Sequence, residues 1–210
     1  MLKIENELHK KGYKYIACLD EVGRGCLAGD VTACAVIMPE GLLIDGVNDS
    51  KKLSKKKREK LYEEIKKSAI SIGIGTASNV EIDEMNIKKA THLAMERAIE
   101  NLMDEEGNSI VPDFLLIDAE IIALKIPQEG IIKGDAKCHG IAAASIIAKV
   151  TRDNCMAELH EDYPAYNFKK NAGYGTKEHI AALLKDGKCK IHRNTFIRKI
   201  MDSNEQLKLI

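Results

Sequence analysis

The alternation of apolar and polar positions divides this chain into short strands and longer amphipathic helices. Lys14–Asp20 (KYIACLD) and Val31–Met38 (VTACAVIM) are β-branched and apolar runs separated by the glycine-rich stretch Glu21–Asp30, and they predict a pair of strands. Ile70–Thr76 alternates isoleucine with small residues, and Asp113–Asp118 (DFLLID) is an apolar run that stops on a carboxylate; both predict further strands. Ser54–Ser68 puts Leu61 and Ile65 on one helical face, and Val80–Met103 carries Ile82, Met85, Leu93, Ala94 and Ile99 as apolar points of a single helix. Ile141–His160 is rich in Ala and Ile and sets Ala144, Ile147, Ala148 and Thr151 on one side, the pattern of a buried, closely packed helix. Thr176 reads as an N-cap, Gly187 as a helix stop, and a last short helix is predicted after His192. The order predicts an α/β fold, helices flanking a mixed central sheet, in one domain over 1–210 with a small helical C-terminal part from about 176.

Composition narrows the function classes. With 45% hydrophobic and 30% charged residues in 210, the chain has the make-up of a globular domain rather than a disordered one. Lys plus Arg and Asp plus Glu both number 32, so any nucleic-acid contact must use local patches rather than a net field. The six cysteines form no Cys-x-x-Cys pair and predict reduced thiols; Cys189 and His192 lack the two further ligands of a zinc site. No apolar run approaches the roughly 18 residues of a membrane span, and the start has no apolar signal core. A cytoplasmic protein with no membrane partner is expected.

The chemistry is carried by carboxylates. Asp20-Glu21, Asp118 and Asp135 each fall at a predicted strand end or just before a helix, where side chains converge. Clustered acids of this kind suit two divalent cations, which together activate a water and stabilise a departing phosphate oxygen. Neighbours on an ideal strand face opposite ways, so Asp20 and Glu21 are expected to share a site only if the strand bends or ends between them, for which Val22-Gly-Arg-Gly is suited.

Five motifs occur in order: Asp20-Glu-Val-Gly-Arg-Gly-Cys-Leu-Ala-Gly, Asn48-Asp-Ser-Lys-Lys-Leu-Ser, Gly134-Asp-Ala-Lys, Ile141-Ala-Ala-Ala-Ser-Ile-Ile-Ala-Lys-Val-Thr-Arg-Asp and Gly173-Tyr-Gly-Thr-Lys-Glu-His. With His192-Arg-Asn-Thr-Phe, they resemble the ribonuclease HII family from about Tyr15 to Lys199. The resemblance implies a ribonuclease H-like fold and an endonuclease using Mg²⁺ or Mn²⁺, on two metals. Its substrates would be RNA/DNA hybrids and duplex DNA with single ribonucleotides, cut on the 5′ side to leave 3′-hydroxyl and 5′-phosphate ends. It implies Asp20, Glu21, Asp118 and Asp135 as catalytic, metal-holding acids, with Asp118 assigned by position more than by motif. Gly23, Arg24 and Gly25 would read the 2′-hydroxyl, since glycines let backbone N–H and C=O approach a sugar, and Tyr174 would pack on that sugar. Ser50 and Lys51 are expected to touch the phosphate backbone, as is Arg193, whereas Lys55–Lys60 is as well explained by a solvated helix face. Ser145, Lys149 and Arg152 are explained by packing, capping or pairing with Asp153. His139 is expected behind the metal ligands or at the surface rather than as a ligand, since hard Mg²⁺ prefers oxygen.

Three departures from the family pattern stand out: Cys26 and Asp30 replace prolines, which predicts a looser recognition loop, and Cys138 stands near Asp135 where serine is common, which predicts sensitivity to oxidation. The tail Gln206-Leu-Lys-Leu-Ile resembles sliding-clamp docking peptides; packing of Leu207, Leu209 and Ile210 on the protein's own body is the other account. The protein is expected to be a monomer. The rival from another class is a catalytically silent nucleic-acid-binding module, against which the four intact acids argue.

Overall fold

The computed structural model describes residues 1–208, with side chains as far as 203. Five strands form one sheet in the order β3-β2-β1-β4-β5: β1 (Ile16–Val22), β2 (Val31–Ile37), β3 (Ser71–Ala77), β4 (Phe114–Asp118) and β5 (Gln128–Ile131). β1 pairs antiparallel with β2 and parallel with β4, so β1 is the central strand of a mixed sheet. Its parallel pairing stops at Leu19↔Ile117, one residue short of Asp20, while the antiparallel pairing runs on to Val22↔Thr32.

Helices cover both faces. On one lies α6 (His139–Asp162), whose residues 139–148 are buried all round, against Cys18, Cys34 and Val36. The absence of bulky side chains in Ala142–Ala144 lets the helix approach the strands, as its composition predicts. Also on this side are α1 (Lys3–Lys10), which the apolar pattern does not single out, and α2 (Lys55–Ser68), with Leu61 and Ile65 buried as expected. Glu5 of α1 accepts the Gly140 N–H at 3.1 Å, serving the otherwise uncapped start of α6.

On the other face, the single helix expected over 80–103 is two. α3 (Asn79–Met85) ends and α4 (Ile87–Glu100) begins at Asn86, which has φ +73° and whose Oδ1 accepts the N–H groups of Lys88 and Lys89. Asn tolerates that conformation and caps the new helix, whereas apolar spacing alone carries no mark of the break. α4 crosses β3 so closely that a Cβ on Gly75 would collide with the Ala94 carbonyl. β5 is a short edge strand with one buried residue, Ile131, too little pattern to read from sequence.

α5 (Gly134–Lys137) leads into α6, and three further helices, α7 (Phe168–Asn171), α8 (Lys177–Asp186) and α9 (Asn194–Lys208), form the C-terminal part. Thr176 and Gly187 cap α8 as expected. Among the described residues no helix is long and apolar enough to cross a membrane.

Candidate active site

The strand ends set the acids. Asp20 lies on the α6 face of β1, 6% exposed, hydrogen-bonded to Ser145 and to the Glu21 N–H at 2.8 Å. Glu21 points to the α4 face, where Arg24 donates to it at 3.2 Å and to Glu120 at 3.0 Å; Glu120 also meets His92 of α4 at 3.2 Å. The bend expected between Asp20 and Glu21 is absent: pairing with β2 continues through both, Asp20↔Cys34 and Glu21↔Ala33. What joins them instead is Asp118 at the end of β4, whose charge acts on both carboxylates.

Asp118 Oδ1 accepts the Gly134 N–H at 2.7 Å and so ties β4 to the segment that carries Asp135. Gly134 has no room for a side chain, since a Cβ there would press on Ile141 and approach Asp118 Oδ1. Asp118 and Asp135, with Asp49, Lys51, Lys133 and Ile132, line an open groove of about 510 Å³.

The electrostatics are those of crowded anions. Burial, then the charges of Glu21 and Asp118, push the Asp20 carboxyl well above the usual carboxylate range. Burial raises Glu21 against the lowering influence of Arg24, and burial with Asp118 and Asp49 raises Asp135 against Lys51. Glu21 Oε2 is buried with no hydrogen-bond partner. Among the described residues no three Asp, Glu, His or Cys side chains are drawn together as a metal-binding group. The donor set nonetheless fits a hard divalent cation: carboxylate oxygens, one of them orphaned, in a cluster whose excess negative charge a cation would relieve.

Beside the acids lies the glycine turn. Gly23 has φ +94° and sits directly on the Arg152 guanidinium, so neither its conformation nor its surroundings admit a side chain. The loop is held from beneath by two buried arginines, Arg152, whose structural role the sequence predicts, and Arg193, whose role it does not. Arg152 donates to the carbonyls of Ala28 (3.1 Å), Asp30 (2.9 Å) and Ala172 (2.7 Å). Arg193, expected to touch phosphate, is 0% exposed and donates to the carbonyls of Arg24 (3.0 Å) and Gly29 (2.9 Å). Its guanidinium is sealed under the loop, so it anchors the loop and is no surface contact. Cys26, in place of a proline, uses the N–H that proline lacks to close the turn on the Gly23 carbonyl at 3.3 Å, and its thiol donates to Ala172 O. These anchors replace the loose loop expected from the missing prolines.

Tyr174 is 38% exposed on the far side of this loop; Gly173 O accepts the Leu27 N–H at 2.8 Å, and the Tyr174 hydroxyl meets Cys26. Burial, with help from Cys26, lifts that hydroxyl to about 12, so it stays protonated at neutral pH. Lys51 is exposed on the groove, but Ser50 is 4% exposed and hydrogen-bonded to Ser145 Oγ at 2.7 Å. Ser50 therefore reaches Asp20 through Ser145 and does not face solvent, a correction to its expected phosphate contact. Ser145 lies on the buried helix, and only the crossing of that helix over β1 reveals its role. Lys149 pairs with Asp153 at 2.7 Å as expected. His139 is buried and accepts the Ile44 N–H, and Cys138 is 0% exposed with its thiol donated to Glu5, which shields it from the oxidants expected to reach it. The proposed tail peptide lies at 206–210, outside the described side chains.

A family model described as Ribonuclease HII matches residues 17–199, a span that contains Asp20, Glu21, Asp118, Asp135 and the glycine turn. The chain belongs to the ribonuclease HII family. It is 54% identical over 200 residues to ribonuclease HII of Alkaliphilus oremlandii, covering 95% of this chain and 98% of that one. Among solved structures, the ribonuclease H2 of Pyrococcus horikoshii shares the fold with a TM-score of 0.71 at 26% identity, covering 91% of this chain and 99% of that one. The ribonuclease HII of Archaeoglobus fulgidus, solved in complex with PCNA, gives 0.66 at 26% identity over 85% of this chain and 93% of that one. As a ribonuclease HII the protein is a metal-dependent endoribonuclease that cleaves RNA in RNA/DNA hybrids and single ribonucleotides in DNA, on a ribonuclease H-like fold.

Proposed function

We propose that Asp20, Glu21, Asp118 and Asp135 are the metal-holding acids, and that cleavage falls on the 5′ side of the ribonucleotide to leave 3′-hydroxyl and 5′-phosphate ends. The observation that carries this reading is the placement of Asp118 at the end of β4, where its charge raises both Asp20 and Glu21, next to a buried, unpartnered Glu21 oxygen. Two bound Mg²⁺ or Mn²⁺ ions would supply activation of the attacking water and charge stabilisation of the departing oxygen. The chain's own residues do the rest. Ser50 and Ser145 orient Asp20, and the Gly134 N–H orients Asp118. Arg24 bridges Glu21 and Glu120 and offsets the repulsion between their charges.

Substrate selection falls to the Gly23–Gly25 turn. Gly25 has nothing within 4 Å of where a side chain would begin, so its backbone is open to a sugar hydroxyl. Tyr174, across the loop, would pack on the same sugar, and Lys51 would meet the phosphate backbone from the groove wall. The tail 206–210 is proposed to dock on a sliding clamp; a labelled tail peptide whose binding to clamp is unchanged by alanine at Leu207 and Leu209 would end that idea.

The test is a DNA duplex with one ribonucleotide, incubated with Mg²⁺, Mn²⁺ or EDTA, beside Asp20→Asn, Asp135→Asn and an all-DNA duplex. Metal-dependent cutting only 5′ of the ribonucleotide, lost in both variants, is expected. Full activity in either variant would remove that acid from the site.

A further inference from the structure

His179 of α8 and His192, just before α9, lie side by side within the C-terminal part, 0% and 1% exposed, with Nε2 atoms 3.0 Å apart. Their protons can be assigned by elimination. His179 Nδ1 is 2.9 Å from the Tyr174 carbonyl, which only accepts, so Nδ1 carries hydrogen and Nε2 of the neutral ring is the acceptor. The hydrogen between the rings then belongs to His192 Nε2. His192 Nδ1 is left as an acceptor, and it receives the Cys189 N–H at 3.0 Å and the Cys189 thiol at 3.1 Å. The contacts from Cys189 to Tyr174 are compatible with one arrangement of protons, with both rings neutral and the His192 Nδ1 lone pair shared by the two Cys189 donors.

The same short segment is tied to the glycine loop through its backbone. His192 forms a β-bridge with Ala28, the Arg193 N–H donates to Leu27 O at 2.9 Å, and the Arg193 side chain holds Arg24 O. One end of this connected set thus grips the backbone of the 2′-hydroxyl reader and the other grips the carbonyl of the tyrosine facing it. Packing alone does not require this: the rings stand edge-on to Tyr166 and Phe168, surroundings that an apolar side chain would fill without burying polar atoms.

We propose that His179 and His192 are positioning residues for ribonucleotide recognition, setting the spacing between Tyr174 and the Gly23–Gly25 backbone. This rests on the reading of those residues as the sugar sensor.

The experiment compares steady-state kinetics of the full chain on a single-ribonucleotide duplex for His179→Phe, His179→Gln, His179→Asn and Tyr174→Ala, with circular dichroism for folding. The Asn amide stands where Nδ1 stands and keeps the bond to Tyr174 O; Phe and Gln do not. KM is expected to rise about 10-fold in the Phe and Gln variants with kcat within about twofold, and to stay within about threefold of the parent for Asn, the scale of one lost ordering hydrogen bond. A folded Phe or Gln variant with the parent's KM, while Tyr174→Ala raises it, overturns the positioning role and leaves the sensor standing. An unchanged KM in Tyr174→Ala overturns the sensor reading and the proposal with it. Gln and Asn variants that lose equally would mark the pair as packing alone, and overturn it too.

Discussion

Asp20 and Glu21 are consecutive residues of one unbroken strand, and their carboxylates leave it toward opposite faces of the sheet, Asp20 to Ser145 of α6 and Glu21 to Arg24 and Glu120. Asp118, on the neighbouring strand, is the group whose charge both of them feel. The site is thus assembled around the end of β4 rather than at a kink in β1, and it carries more negative charge than its own cations balance.

That excess has a cost in stability. Asp20 has its pKa raised in the fold, so the unfolded chain gives up this proton at a lower pH, and stability falls as pH rises from about 4 through the folded value. Asp20→Asn removes the buried charge and is expected to raise Tm by about 2–4 °C near neutral pH, the shift for roughly 1 kcal/mol, while abolishing cleavage. Mn²⁺ should raise the Tm of the parent and do so less in the variant, because binding to the folded state alone stabilises it. Thermal melts across pH, with and without the ion, read both effects.

The histidine pair has the opposite sign from the usual surface histidine. Burial and the neighbouring His179 hold His192 down to about 4, and burial lowers His179 as well. The unfolded chain takes up these protons near 6.5, so stability is whole above that pH and is lost as pH falls toward 4, by about 3 kcal/mol for His192 alone. Urea unfolding at pH 7 and pH 4.5 should show the loss, and His192→Phe should flatten it.

Arg152 offers a planar fork to three carbonyls of two loops. Arg152→Ala is expected to cost about 3 kcal/mol, since buried acceptors lose charged donors and a cavity opens. Arg152→Lys should recover little, because an ammonium cannot serve that geometry. Chemical denaturation of the three proteins checks the order.

Gly75 lies under the α4 backbone, whereas Gly107 has φ +84° and open space around it. Gly75→Ala must push helix from sheet and is expected to cost about 2–3 kcal/mol, against about 1 kcal/mol of backbone strain for Gly107→Ala. The midpoint of urea unfolding discriminates them.

Lys51 faces the groove of Asp118 and Asp135, and Lys56 lies on α2 beyond it. Lys51→Ala should weaken binding of all duplexes alike and reduce the salt slope of log K by about 1; Lys56→Ala should leave the slope unchanged. Binding titrations at several salt concentrations with a cleavage-dead variant measure it.

Four of the five strands and the main helices were legible because each buries a face whose period appears in the chain: β2 is buried throughout, and Leu61 and Ile65 of α2 are covered as their spacing requires. Caps were equally local, Thr176 and Gly187 among them. The family was legible from ordered motifs, and those motifs are what single out the four acids and the glycine turn proposed as the site. Edge strand β5, with a single buried residue, and the break at Asn86 escaped, since neither depends on apolar periodicity. By itself, then, the sequence determined which segments bury a face and which residue types stand at their ends, properties of neighbours along the chain. Only the tertiary structure decided that Ser145 serves Asp20 and that Arg193, expected to touch phosphate, lies sealed under the glycine loop. It likewise decided that His179 and His192 join Tyr174 to that loop. Those relationships cross more than 100 residues in the first two cases, and they arise from the crossing of α6 over β1 and the return of the C-terminal part onto the glycine turn. No local pattern encodes such crossings, because what a buried polar group bonds to is settled by the element packed against it.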